Sequence, residues 1–151
     1  MKITDIECHV LLVPDVRTDA TSSAQDDIVV FVHTDEGITG WGEATCGPRS
    51  VATMVDEFGE VITGKDPMEI EKHWQTLYHH YHVRGGIVQV SAISGIEIAL
   101  WDIKGKAFDT PVWELLGGQM RDKTWTYGRF DGTTPADCVA PALRLSPIHI
   151  F

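Results

Sequence analysis

The chain is poor in cysteine and in positive charge. Its three cysteines, Cys8, Cys46 and Cys138, are odd in number, far apart and without CxxC spacing, which argues against a disulfide framework and against a zinc knuckle. Reduced thiols in a cytoplasm fit this usage. Only 12 Lys and Arg stand against 22 Asp and Glu, a net charge of −10, and no basic cluster interrupts the acidic excess. Nucleic acid and anionic membranes are therefore excluded as expected partners. No stretch reaches the roughly 18 uninterrupted apolar residues of a membrane span, and the start, "MKITDIECHVLLVP", alternates instead of forming the apolar core of a signal peptide. A soluble, unexported protein is expected. P-loop, HExxH and Ser-His-Asp arrangements are missing as well, as are repeats and low-complexity tracts.

What is present suffices for one ordinary domain: 151 residues, 43% of them hydrophobic. A barrel of about 250 residues would not fit. Ile3, Ile6, Cys8, Val10 and Leu12 roughly alternate with polar neighbours up to Pro14, which predicts a strand. The polar run "DVRTDATSSAQDD" reads as a surface loop. "IVVFVHT", the turn "DEG" and the return "ITGWGEA" complete a three-stranded antiparallel meander, with Gly37 free to take positive φ.

Helical spacing then takes over. Val51, Met54, Val55, Phe58 and Ile62 predict a first helix closed by Gly64. Asp66 as N-cap and Pro67 at the first helical position predict a second, to about Tyr81. A third is expected over roughly 89–108, then a short helical turn in "TPVWELLGG". Strand character returns at 123–132, followed by a helix with Thr134 as N-cap, weakened by Pro141. Three strands followed by three helices indicate an α+β domain, and the final strand and helix begin another body.

Few residues suggest chemistry. Gly37, Gly40 and Gly42 lie in a hairpin, not between strand and helix as a dinucleotide fingerprint requires, so turn formation and close packing explain them better. Glu43 reads as a hydrogen-bonding structural group. His79 and His82 share a helix face but lack a third ligand, and the histidines suit the helix C-terminus. Arg84 could meet an anion or another chain. On a helical wheel the stretch "SAISGIEIALWDIKGK" has one broad apolar stripe containing Ala92, Ile96, Ala99 and Ile103. Ile98, Trp101 and Gly105, beside Ser94, lie nearly opposite, which implies a helix covered on two faces. Asp102 and Lys106 form an i, i+4 pair with the acid first, and Glu97 projects between the stripes.

The phrase "AISGIEIALWDIKGKAFDTPVWELLGG" followed by "RDK" resembles the capping-domain signature of the mandelate racemase and muconate lactonizing enzyme group of the enolase superfamily. "DEGITGWGEA", the "DP" and "W" of the second helix, and "RGG" follow in the family order, so the resemblance covers about residues 1–144. It implies a capping domain at 1–121, the first strand and helix of a truncated TIM barrel at 122–144, and a tail at 145–151 that departs from the family. The tail, "LSPIHIF", is similar to a translated library adapter and is expected to be non-native.

By the same resemblance, the full protein would use barrel-bound Mg²⁺ and a barrel base to remove a proton α to a carboxylate. The barrel residues that do this are missing here, so the chain alone is expected to be inactive and to hold neither metal nor catalytic groups. Two capping loops, 15–25 and 45–50 by position, would close over the barrel and select substrate. Arg17, Arg49 and Arg129 become the candidate substrate-binding residues, the last near the end of the first barrel strand. The wording is most similar to galactonate dehydratase-like acid-sugar dehydratases. Gly47 or Pro48 and Arg129 replace the Asn and His of mannonate enzymes. A homo-oligomer is expected at full length. Racemases, epimerases and cycloisomerases of the superfamily, or a free-standing non-enzymatic binding module, are the competing readings.

Overall fold

A computed structural model describes residues 1–12, 26–83, 85–123 and 134–145. Three strands, β1 (Ile3–Leu12), β2 (Asp26–Thr34) and β3 (Thr39–Ala44), form one antiparallel sheet in the order β1-β2-β3. The imperfect alternation of β1 has a cause: an irregularity between Ile3 and Asp5 inserts an extra residue, so Ile3 and Ile6 both face inward although three apart. Between β2 and β3, Gly37 takes φ +79°. Thr34 braces the turn, its hydroxyl donating to the Ile38 carbonyl and accepting from the Ile38 N–H at 2.8 and 3.1 Å.

Among the described residues five helices follow: α1 (Pro48–Ile62), α2 (Ile70–Tyr78), α3 (Ile87–Ala107), α4 (Val112–Leu115) and α5 (Pro135–Leu145). The expected α+β order, a meander followed by helices, is present. The core lies between the inner sheet face (Ile28, Val30, Val32) and α1 and α3, which contribute Val51, Val55, Phe58, Ile96, Ala99 and Ile103. Each large side chain there is worth about 1.5–3 kcal/mol of burial.

The second helix is shorter than its pattern suggests, at both ends. The Asp66 carboxylate accepts from the Met68 N–H at 3.0 Å, and its carbonyl lies 2.7 Å from the buried His73 ring. Asp66 therefore organises a separate turn, and the regular helix starts four residues later, at Ile70. At the far end the amide of buried Gln89 donates to the carbonyls of Leu77 and Tyr78 at 3.2 and 3.3 Å. Those carbonyls are thereby satisfied from α3 and the helix stops short of Tyr81.

The chain divides into two compact units, Met1–Gly117 and Gly118–Phe151. In the second, Thr134 caps α5 as its sequence predicts. Its hydroxyl accepts from the Asp137 N–H at 3.3 Å, and Asp137 accepts in return from the Thr134 N–H at 2.9 Å. The helix continues through Pro141 to Leu145. The strand expected over 123–132 and the tail lie outside the described residues, apart from Lys123 and Leu145. Among the described residues, no helix is long and apolar enough to cross a membrane.

Candidate functional site

The site is built where β3 crosses α3. Gly40 and Gly42 lack side chains on the face turned to the helix, and a Cβ at either position would overlap backbone: the Ala99 carbonyl oxygen at Gly40, that of Gly95 at Gly42. Strand and helix meet main chain to main chain. The glycines thus serve close packing, but against a helix.

Charged residues of α3 flank this contact without acting as acids or bases. Asp102 Oδ2 accepts from the Trp41 backbone N–H at 2.9 Å and from Lys106 Nζ at 2.6 Å. Lys106 also donates to the Thr39 carbonyl at 2.7 Å. Trp101 is held along the helix, its indole N–H 3.4 Å from Glu97 and its ring 5.1 Å below the Lys104 ammonium. Gly105 is buried because the 110–112 turn covers it, with the Thr110 carbonyl 2.9 Å from where a Cβ would stand. The rest of the second apolar face is open: Ile87 is 65%, Val90 44% and Ile98 46% exposed.

Beyond the close contact, strand and helix part around a cavity of about 710 Å³, lined by Glu43, Thr45, Val90, Ser94 and Ile98 among others. Of the 45–50 segment, Thr45 lines the cavity and forms this part of its rim. Cys46 and Gly47 both take left-handed backbone, at φ +70° and +58°, and the Gly47 carbonyl accepts from the N–H groups of Ser50 and Val51 at 2.9 and 3.0 Å. A non-glycine residue in that conformation costs about 1 kcal/mol or more. Arg49 follows in the first turn of α1, exposed, in a turn without acidic residues. Its charge faces the positive end of the helix dipole there, an unfavourable place for a cation.

The other candidates fall apart. Glu43 is exposed and lines the cavity. His79 bonds back to the Gln75 carbonyl at 2.8 Å, whereas His80 packs its edge on Phe58 and Tyr81. Tyr81 donates to Glu57, a bond that pushes the phenol pKa upward. Arg17, Arg84 and Arg129 lie outside the described residues. Sequence reasoning had Thr45 in the 45–50 capping loop and Ser94 beside the second stripe of α3, but it did not bring them together as cavity walls, and it did not single out Val90.

The outer sheet face carries a second polar group. Glu7 lies between two imidazoles, His9 Nε2 at 2.9 Å and His33 Nε2 at 3.3 Å. The hydrogen bond with His9 chiefly holds the Glu7 carboxyl below its usual range. The His33 contact is the longer of the two, and the other nitrogen of that ring, Nδ1, lies 3.0 Å from the Thr39 hydroxyl. Phe31 packs edge-on against Trp41 at 4.8 Å beside them.

Comparison with known proteins places this architecture. Residues 5–117 match the family described as mandelate racemase / muconate lactonizing enzyme, N-terminal domain; the chain belongs to that family. It is 51% identical over 116 residues to the D-galactonate dehydratase of Variovorax paradoxus (strain S110), covering 76% of this chain and 30% of that protein. Among solved structures, a member of the enolase superfamily from Salmonella Typhimurium matches with TM-score 0.77 and 32% identity, over 97% of this chain and 40% of its own. The 3,6-anhydro-D-galactonate cycloisomerase from Zobellia galactanivorans matches with TM-score 0.67 and 34% identity, over 78% and 32%. The chain thus spans about a third of the length of these relatives. Among the described residues, no group of three or more His, Cys, Asp or Glu is placed to hold a metal ion. The magnesium expected for the family therefore finds no donor set among the described residues.

Proposed function

We propose that this chain is the substrate-selecting cap of an acid-sugar dehydratase acting on a galactonate-like aldonate. The observation that carries the reading is the 51% identity to a D-galactonate dehydratase. In the full protein the α proton of the aldonate leaves to a base, the β hydroxyl departs as water, and a 2-keto-3-deoxy acid results. The cap's part is to exclude water and to hold the distal end of the sugar. Arg49 supports that role: it is exposed four residues beyond the cavity-lining Thr45, at a helix end where its charge is unfavourable unless an anion joins it. Arg17 and Arg129 enter on family position alone. The cycloisomerase resemblance favours a second reaction on a related sugar acid, with the same use of the cap.

The test grafts residues 1–121 onto the Variovorax enzyme in place of its own cap and follows keto-acid formation from a panel of aldonates, with 3,6-anhydro-D-galactonate included. Galactonate dehydration is expected, and Arg49→Ala should raise KM about tenfold with kcat less affected. A folded chimera that turns over no aldonate would overturn the reading. The 151-residue chain alone is expected to form no keto acid.

A further inference from the structure

We propose that Asp102 and Lys106 are positioning residues for the 45–50 segment: they occupy the free edge of β3 and so set where that rim stands over the cavity. β3 is an edge strand, hydrogen-bonded to β2 on one side. Trp41 N–H and Thr39 C=O, two residues apart, point to the other side, where a further strand would ordinarily take them. Here one acceptor and one donor from a helix do so: Asp102 Oδ2 at 2.9 Å and Lys106 Nζ at 2.7 Å, joined to each other at 2.6 Å. Their spacing on α3 lets the pair answer a strand's alternating groups.

An exposed i, i+4 pair does little for stability alone. Charge-assisted bonds to backbone 61 and 67 residues away do something else, because they fix the strand's register along the helix. The main-chain contact at Gly40 and Gly42 fixes the distance between the two elements, and the pair fixes sliding and tilt. From Trp41 the strand runs to Ala44 and directly into Thr45, a wall of the cavity. Movement at the clamp is therefore carried to the rim.

The importance of the rim for substrate rests on the function proposed above; the clamp itself is tested without substrate. In the 151-residue chain, amide exchange of Trp41 and the alkylation rate of Cys46 are measured for wild type, Asp102→Ala, Asp102→Asn and Lys106→Met. Val30 and Val32 amides and the Cys8 thiol are internal controls. Asp102→Ala is expected to speed both Trp41 exchange and Cys46 alkylation by about tenfold, leaving the controls unchanged. Asp102→Asn keeps an acceptor oxygen and should restore most of the Trp41 protection. Faster Trp41 exchange with unchanged Cys46 overturns the proposal, and so does a parallel rise at Val30 and Cys8, which marks general loosening. Should Asp102→Ala not fold, Asp102→Asn and Lys106→Met decide it through the Cys46 rate, for which both predict a rise smaller than tenfold with quiet controls. An inactive chimera beside a working clamp would refute the substrate reading alone.

Discussion

The crossing of β3 over α3 has two ends that differ in kind. At one, Gly40, Gly42, Gly95 and Ala99 bring backbones into contact, Ile103 is fully buried, and Asp102 and Lys106 seal the strand edge. At the other, Val90 and Ile98 are 44% and 46% exposed beside a cavity. The closed end tolerates no added atom, whereas the open end leaves apolar side chains uncovered among the described residues. One helix therefore serves both as a core element and as a presented surface, divided between its faces: Ile98 is open although Gly95 and Ala99 on either side of it are buried.

Substitutions should separate the two ends, and the largest effect belongs to Gly42→Ala. Its methyl would overlap a backbone oxygen, so a loss of about 3 kcal/mol or more is expected, measured by urea unfolding. Ile103→Ala at the same end should cost about 2–5 kcal/mol by the same assay. At the open end, Val90→Ser with Ile98→Ser should change stability by no more than about 0.5 kcal/mol. That double change should instead reduce self-association on size-exclusion chromatography, because it breaks the apolar stripe. A stability loss as large as that of Ile103→Ala would erase the distinction.

The smallest effect lies on the outer sheet face, which neither end uses. Glu7 is held below its ordinary value of 4.5 by His9 and His33, so its ionised form favours the fold. Its contribution is present above that value and is lost as pH falls through the lower folded one. Glu7→Gln should slightly flatten the fall in melting temperature with acidification between about pH 5 and 3. The effects of the Gly42 and Ile103 substitutions should stay as large across that range.

Much of this was legible in the chain. Alternation located β1, the β-branched run and its turn located β2 and β3, helical spacing located α1 and α3, and the paired glycines marked the end of α4. The ends of α2 were not, because Asp66 served a turn and Gln89 reached back across 12 residues, and neither bond leaves a periodic trace. For Asp102 the spacing disclosed its lysine partner. Its second partner, a backbone amide 61 residues earlier, depends on how strand and helix cross, which local pattern does not specify. The site was legible only as a loop: Arg49 was reached through the family resemblance of 45–50, while Thr45 and Ser94 became cavity walls only once the elements were assembled.

The glycine contact also bears on which substitutions can be repaired. A Cβ at Gly95 meets the Ala44 methyl and a Val30 methyl, each at 3.0 Å, so trimming Ala44 to glycine relieves part of the crowding. A Cβ at Gly42 meets the carbonyl of Gly95 itself, and no change of side chain moves a carbonyl. Suppressor selections should therefore recover second-site revertants of Gly95→Ala, at Ala44 among other positions. From Gly42→Ala they should return the original glycine.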